Sequence, residues 1–265
     1  PRDNDWESQG ALGFWPGLST SLKHSCRFTS YGHLSKGDYP AERDIPLPFC
    51  LVNQNTAKDR IELIPAYWWM YNLYALLRNE SKFAARDKRI TKVQALEFSP
   101  LAPDTAEEIF RARILLEEWA GTAVVLAEGG DPSGPGRDGL RERGRALLAG
   151  PEDGKIAVHA YGVENSTRPV LVLKPGKAWK AYRRMLHWYS VREILAYLEA
   201  RPDMTAEDAA EALDGPRERS WENLGGQIVP AWKVERLAER VRTGELNNWR
   251  DVHASYDEMA AEYPV

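Results

Sequence analysis

Apolar residues recur at every sixth position in the first part of the chain. The residues at this spacing are Leu22, Phe28, Leu34, Pro40, Pro46 and Val52. A six-residue period is typical of a parallel β-helix, in which three short strands form each coil and successive coils stack. About half of the residues here are apolar or proline, so such a run arises by chance roughly once in ten trials and only suggests this fold. In such a coil Trp15 and His33, three hexads apart, would stack in adjacent turns.

After residue 55 the pattern becomes one that is typical of helices. The run from Ile61 to Leu77 is apolar on every face, which predicts a buried helix that continues into a basic segment ending near Arg89. Capping signals and apolar spacing predict further helices over 104–120, 176–200, 205–213, 230–243 and 248–262. Short strands are predicted at 156–161 and 170–173, and the Gly-rich and Pro-rich segment 129–154 predicts a flexible loop with a short helix at 140–148.

Together these patterns predict a mixed α and β fold in two parts. Residues 1–55 would form the terminal coils of a parallel β-helix, and residues 56–265 a mainly helical domain. The chain begins with Pro1 rather than Met, so we expect it to be a processed protein or part of a longer one.

The composition indicates a soluble globular protein. Of the 265 residues 43% are hydrophobic and 28% are charged, and the net charge is −4. This balance makes nucleic acid an unlikely partner, and no run of apolar residues is long enough to predict a membrane span. The two cysteines fit a reducing compartment, so we expect a cytoplasmic protein without a disulfide scaffold. The five histidines lack metal-ligand spacing, and we therefore expect no metal site.

One candidate catalytic group lies inside the hexad segment. His24 has an ordinary pKa near neutrality and could act as a general base, with Asp38 orienting its ring. Lys23 and Lys36 are near it in sequence and would offset the charge of a phosphate. The alternative is that His24 is structural, which is the commoner role of a lone histidine.

A second candidate is a polar stripe on the helix predicted from Ile61. Helical spacing places six residues near one face of this helix, and Arg86 lies close to that face. The six residues of the stripe are Tyr67, Tyr71, Tyr74, Arg78, Lys82 and Arg89. Tyrosine hydroxyls beside guanidinium groups suit a phosphate or carboxylate ligand. The alternative, and the commoner outcome, is that this face pairs with the acidic helix at 107–118 or satisfies buried polar groups.

Several longer motifs resemble one family. They are Gly13–Leu18, Ser21–His24, Lys36–Pro40, Ile45–Phe49, Pro65–Asn72, Arg86–Arg89 and Asn223–Gln227. They resemble an uncharacterised family of large bacterial proteins with a left-handed β-helix of the LpxA-like, hexapeptide-repeat kind and an appended helical domain. The chain departs from this pattern because it has no uninterrupted array of an aliphatic residue followed by glycine at six-residue spacing.

This resemblance implies a fold, an assembly and a class of chemistry. The first 55 residues would be the last coils of a left-handed parallel β-helix, the missing N-terminal portion of the protein would supply the others, and the protein would be a trimer. His24 would match the catalytic histidine of acyltransferases of this kind, with acyl-CoA or a nucleotide sugar as substrate. We therefore expect an acyltransferase or sugar-nucleotide-modifying transferase. The alternative is a non-enzymatic trimeric scaffold that binds a carbohydrate, a nucleotide or a protein.

Overall fold

The computed structural model describes residues 8–92, 95–151 and 155–261. The chain divides into two compact units, each made of two segments. The first unit comprises Pro1–Arg78 and Glu108–Leu186, and the second comprises Asn79–Glu107 and His187–Val265. The boundary expected at residue 55 stays a prediction, although two strands pair across it in the first unit. The ends of two predicted elements, at 152–154 and 262, lie outside the described residues.

The first unit begins with very short strands that pair in parallel. Their bounds are β1 Gln9–Gly10, β2 Trp15–Pro16, β3 Ser21–Leu22, β4 Arg27–Phe28, β5 His33–Leu34, β6 Asp38–Tyr39, β7 Asp44–Ile45 and β8 Leu51–Asn55. Strand β4 pairs with β1 and β7, β5 pairs with β2 and β8, and β6 pairs with β3, so every third strand is a neighbour. This arrangement forms three parallel ladders from one stretch of chain. A left-handed β-helix of the LpxA-like kind is not shown by these strands.

The strict six-residue period is wrong at Pro40 and Pro46, and it holds again at Val52, which is buried. Tyr39 and Ile45 are fully buried, whereas Pro40 is exposed and Pro46 only half-buried. The shift occurs because Leu22 pairs with Tyr39 across seventeen positions, whereas Leu34 pairs with Val52 across eighteen. The Tyr39 hydroxyl donates hydrogen bonds to the carbonyls of Ser35 (2.9 Å) and Val52 (3.2 Å), which satisfies the polar end of this buried ring.

The corners between the first strands also repeat every six residues. Gly13, Ser19, Ser25 and Tyr31 all have a positive φ, between 55° and 73°. A left-handed residue at each corner turns the chain sharply, and it is unfavourable for residues other than glycine. The repeat does not continue at Gly37, the position where the register of the ladders shortens by one residue.

The ladder of β2, β5 and β8 is extended into a six-stranded sheet. Strand β9 (Arg60–Ile64) pairs antiparallel with β8 and parallel with β11 (Val170–Val172), which pairs antiparallel with β10 (Val158–His159). The single buried helix predicted from Ile61 is therefore wrong over its first residues, which form β9. The buried Glu62 carboxylate on β9 accepts hydrogen bonds from its neighbours, namely Asn53, Asn55 and Arg60. The two strands predicted near 156–161 and 170–173 are confirmed.

Five helices begin in or belong to the first unit. They are α1 Tyr67–Tyr71, α2 Leu73–Arg86, α3 Pro103–Ala127, α4 Gly136–Ala149 and α5 Pro175–Glu199, and α2, α3 and α5 contribute residues to both units. The short helix predicted at 140–148 is confirmed as α4. Helices α3 and α4 touch through backbone at Gly121 and Gly144, where a Cβ atom would lie 1.9 Å from a carbonyl oxygen of the other helix. Glycine is therefore required at both positions.

The second unit contains a hairpin and three further helices. Their bounds are α6 Ala206–Ala212, β12 Trp221–Leu224, β13 Gln227–Pro230, α7 Ala231–Arg242 and α8 Trp249–Ala261. Helix α6 has the predicted cap, in which the Thr205 hydroxyl and the Asp208 carboxylate bond reciprocally to the backbone. The turn between β12 and β13 is formed by Gly225 and Gly226, both with positive φ.

Candidate functional site

The most distinctive surface of the first unit is a cluster of aromatic rings beside one parallel ladder. Trp15 on β2 and His33 on β5 are direct cross-strand partners, as the eighteen-residue spacing predicts. Their neighbours Pro16 and Leu34 form the adjacent pair, and Leu34 is fully buried. Successive residues of a strand point to opposite faces. Trp15 and His33 therefore point away from the interior that Leu34 fills.

Helix α1 adds three more rings to this pair. The Trp68 ring centroid lies 5.4 Å from that of His33 and 6.1 Å from that of Trp15, and Tyr67 meets His33 edge-on at 6.3 Å. Tyr71 lies one helical turn further on, with its ring 5.6 Å from that of Tyr67. These separations are in the range of stacked and edge-to-face aromatic pairs. We call this group the aromatic surface; it comprises Trp15, His33, Tyr67, Trp68 and Tyr71.

A single lysine borders the aromatic surface. Lys174, between β11 and α5, donates a hydrogen bond to the Tyr71 hydroxyl (2.7 Å), and its ammonium group lies 4.6 Å from the centre of the Tyr71 ring. Its φ of 54° is in the left-handed region, which non-glycine residues seldom adopt. The ammonium group therefore brings a positive charge to one end of a mostly uncharged surface.

The aromatic surface is half exposed and incompletely hydrogen-bonded. Trp15 is 54% exposed and Tyr71 is 49% exposed. Trp68 Nε1 and His33 Nδ1 are buried, and neither has a hydrogen-bond partner among the residues that the structure describes. Burial lowers the pKa of His33, so its ring is neutral at pH 7. The exposed ring faces of Trp15 and Tyr71 can stack against a flat ligand, and the Tyr71 hydroxyl and the Lys174 ammonium group can form hydrogen bonds at its edge, whereas the two buried nitrogens do not reach it.

The predicted catalytic pair lies on a different ladder. Asp38 on β6 pairs with Ser21 and is exposed, while His24 follows β3 and makes a 3.3 Å contact with the Ser25 hydroxyl through Nδ1. Lys23 is 3.8 Å from the carboxylate of Glu42, and Lys36 is exposed at the corner after β5. The catalytic role of this pair stays a prediction.

The prediction that a single helix presents the polar stripe on one face is wrong. Helix α1 ends at Tyr71, the capping residue Asn72 has a non-helical φ of −143°, and α2 ends at Arg86, before Arg89. In the first unit Tyr74 and Arg78 are exposed. In the second unit Arg86 is exposed, and Arg89 donates hydrogen bonds to the carboxylate of Asp87 (2.9 Å). Their ligand-binding role stays a prediction, but one unbroken helix does not present them together.

Sequence reasoning gave no site role to three of the five members, Trp15, His33 and Trp68, or to the bordering Lys174. Trp68 was assigned to a buried helix without a functional role, although it lies between two tyrosines that were candidates. Lys174 is 103 positions from Tyr71, and only the pairing of β9 with β11 brings the two together. No local sequence pattern signals such a contact.

Comparison with known proteins yields one relative of unknown function. The chain is 42% identical over 266 residues to an uncharacterised protein of Treponema pallidum (strain Nichols), and the match covers 99% of this chain but 35% of that protein. The chain therefore spans about a third of the relative's length. No family model and no solved structure matches. The assignment to an LpxA-like, hexapeptide-repeat family is therefore wrong.

Two other kinds of site are absent from the described part of the chain. Within residues 8–92, 95–151 and 155–261, no group of three or more His, Cys, Asp and Glu side chains is arranged to hold a metal ion. In the same part of the chain, no helix combines the length and the apolar character needed to cross a bilayer.

Proposed function

We propose that the first unit is a carbohydrate-binding module and that the aromatic surface is its binding site. The observation that carries this proposal is the half-exposed Trp15 ring, which is held beside His33 on a parallel ladder and close to the buried Trp68 ring of α1. The face of a sugar ring is apolar, whereas its edge carries hydroxyl groups. The exposed Trp15 indole complements the apolar face, and the Tyr71 hydroxyl and the Lys174 ammonium group at one end of the surface complement the hydroxyl groups.

The charge of the site favours a neutral or weakly anionic sugar. His33 is neutral at pH 7 because burial lowers its pKa, and the ammonium group of Lys174 is partly engaged by Tyr71. The contact of Lys174 with Tyr71 brings a positive charge to one end of the five rings, and the ring-to-ring contacts are uncharged. Stacking rather than charge pairing would therefore supply most of the binding energy.

The test is direct titration of the whole chain with defined sugars. Cellohexaose, chitohexaose and maltohexaose would be titrated by calorimetry, with UDP and UDP-N-acetylglucosamine as nucleotide probes. Loss of a stacking indole should weaken binding about tenfold, so Trp15→Ala should show that loss. The matched control is Trp249→Ala, which removes an indole that is 77% exposed in the second unit.

The results separate the ligand classes. Binding of an oligosaccharide that weakens in Trp15→Ala but not in Trp249→Ala supports the proposal. Binding of UDP and UDP-N-acetylglucosamine with equal affinity, and of no oligosaccharide, would assign the surface to nucleotides and contradict it. Equal losses in both tryptophan variants would also contradict it, because the effect would not depend on this surface.

A second candidate function is that of a transferase acting on a sugar or a nucleotide-linked sugar. The observation that favours it is the His33 ring, which is partly exposed beside Trp15 and whose pKa is lowered by burial. Its Nδ1 is buried, so Nε2 is the atom that would accept the proton of an acceptor hydroxyl during acyl transfer from acetyl-CoA, which releases free CoA. Release of free CoA from acetyl-CoA in the presence of a bound sugar, abolished in His33→Asn but not in His24→Asn, would support this role. The opposite pattern would favour the His24 and Asp38 pair.

We also propose that the three ladders are part of a longer parallel coil. Strands β1, β2 and β3 lie at the ends of their ladders, and the chain matches about a third of a longer relative. The N-terminal portion of the longer protein would then pair with these strands. The two buried free cysteines, Cys26 and Cys50, fit the cytoplasmic location expected from the sequence. Without the family assignment, a trimer has no support from the fold and stays a prediction.

A further inference from the structure

Three helices of the first unit meet at one buried carboxylate. Glu117 on α3 is almost completely buried, and its Oε2 accepts a hydrogen bond from Arg145 Nε on α4 (2.8 Å). Its Oε1 accepts a hydrogen bond from the indole nitrogen of Trp179 on α5 (2.9 Å). Both oxygens are therefore engaged, and the carboxylate joins α4 and α5 to α3 at this point.

Two further arginines lie close to this carboxylate. Arg113 is one helical turn before Glu117 on α3, and its guanidinium carbon lies 5.0 Å from the centre of the Trp179 ring. Arg183 is one turn after Trp179, on the same face of α5. Burial lowers the pKa of Arg113, and the Glu117 carboxylate opposes this change. The positive charges of Arg183 and Arg145 lower the same pKa, so both guanidinium groups lie within electrostatic range of Arg113.

The guanidinium groups around this carboxylate are only partly neutralised and only partly bonded. Three arginines and one carboxylate give the group a net charge of +2. Arg113 Nε is buried and has no acceptor among the described residues, while the side chain as a whole is half-buried, so its terminal nitrogens face solvent. Arg145 bonds to Glu117 through Nε but is 57% exposed. Arg183 is exposed and pairs with no carboxylate in the described ranges.

We propose that the terminal nitrogens of Arg113, Arg145 and Arg183 bind a phosphate group at the surface of the first unit. A tetrahedral phosphate has enough oxygens for donors that come from three helices, and its charge of about −1.5 to −2 at pH 7 matches that of the group. A carboxylate has only two oxygens and one charge. Glu117 does not replace the phosphate, because it is buried and both of its oxygens already accept hydrogen bonds. The proposal does not depend on the aromatic surface.

The phosphate group is either a free ion or part of a phosphorylated sugar, and titration of the whole chain distinguishes the two. Inorganic phosphate, glucose 6-phosphate and glucose would each be titrated by calorimetry at pH 7, with the ionic strength held constant by sodium chloride. Arg183→Gln removes one charge-assisted contact and should weaken phosphate binding about tenfold. The matched control is Arg184→Gln, which removes the same charge from an exposed position on another face of α5.

Urea denaturation of Arg183→Gln separates binding from a structural role. Arg183 has no hydrogen bond or ion pair to a described residue, and it lies near two other guanidinium groups. We therefore expect its loss to leave the transition midpoint unchanged or to raise it, because repulsion is relieved. A lowered midpoint would show that the arginine supports the fold, and it would overturn the proposal that Arg183 serves a ligand.

The titrations decide the rest. Binding of inorganic phosphate or glucose 6-phosphate that weakens about tenfold in Arg183→Gln and is unchanged in Arg184→Gln supports the proposal, and the ligand that binds more tightly identifies the source of the phosphate group. Equal losses in the two variants would overturn it, because the effect would follow the net charge of the chain. No binding of either phosphate, or equal binding of glucose and glucose 6-phosphate, would overturn it as well.

Discussion

Removing the charge of Glu164 is the sharpest test of how the first unit is held together. Glu164→Gln keeps the size of the side chain but leaves the guanidinium group of Arg43, whose side chain is 0% exposed, without its anion. It also weakens the bonds from Arg168 and Ser166. Buried ion pairs that lose one partner cost about 3–5 kcal/mol, because the remaining charge stays desolvated and unpaired. We expect the free energy of unfolding of the first unit to fall by this amount.

The assay is urea denaturation at pH 7, followed by tryptophan fluorescence. A loss of stability should lower the transition midpoint with no change in the slope of the free energy against urea concentration. The matched control is Glu245→Gln. Glu245 accepts a hydrogen bond of 2.6 Å from Arg240, but it is 58% exposed. Exposed pairs contribute about 0.2–1 kcal/mol.

The comparison of Glu164→Gln with Glu245→Gln separates the effect of burying the carboxylate from the effect of its short hydrogen bond. Both carboxylates accept a short hydrogen bond from an arginine, so similar small losses in both variants would refute the argument that burial makes the Glu164 pair important. A large loss in both would refute it as well, because it would place the energy in the hydrogen bond rather than in desolvation.

Three further predictions concern packing and pH. In urea denaturation, Gly144→Ala should destabilise the first unit by about 1–3 kcal/mol, because the new Cβ would lie 1.9 Å from the Glu117 carbonyl oxygen. This loss should occur although alanine has the higher helix propensity. The control Gly215→Ala should not lower the stability, because its Cβ would have no atom within 4 Å. Burial alone would raise the pKa of Glu62, but hydrogen bonds from its neighbours lower it below 4.5. The stability advantage over Glu62→Gln should therefore be full above pH 4.5 and shrink as the pH falls below it; a constant difference would contradict this. Burial lowers the pKa of His33 below 6.5, so stability should fall as the pH drops below that value, and this dependence should be reduced in His33→Asn.

Local signals in the sequence predicted the helices of the second half of the chain well. The cap at Thr205 specifies backbone geometry directly, and the structure has a capped helix there, whereas the hairpin of β12 and β13 was not predicted. Such features depend on residues within a few positions of each other. Long-range packing does not alter them.

The apolar run from Ile61 was misassigned for a physical reason. A segment that is apolar on every face suits a buried helix and also a strand covered on both sides, and periodicity cannot separate the two. Strand β9 lies between β8 and β11, and the partner on one side follows it in sequence by more than a hundred positions. Pairing with β11 therefore decides that this segment is a strand and not a helix, and no local pattern around Ile61 predicts that pairing.

The hexad pattern correctly placed one pair of the site but not the whole ladder. The eighteen-residue step holds for Trp15 with His33 and for Leu34 with Val52, whereas it becomes seventeen where Leu22 meets Tyr39. At this level the Tyr39 ring fills the interior, so the buried position lies one residue before the one that the hexad period predicts. Pro40 fits the period by chance, and it concealed this shift in the sequence. Sequence periodicity alone could not distinguish the two registers.

The aromatic surface is rigid because backbone bonds fix each of its parts. Trp15 N donates to the Gly32 carbonyl (2.7 Å), His33 N to the Cys50 carbonyl (2.8 Å) and Trp68 N to the Phe49 carbonyl (3.3 Å). Each ring therefore belongs to a segment that is tied to the next one, and the rings are in place before a ligand arrives. Binding then orders few side chains, which reduces its entropic cost. For the same reason, a substitution that loosens the β5–β8 pairing should weaken ligand binding even though it touches none of the rings.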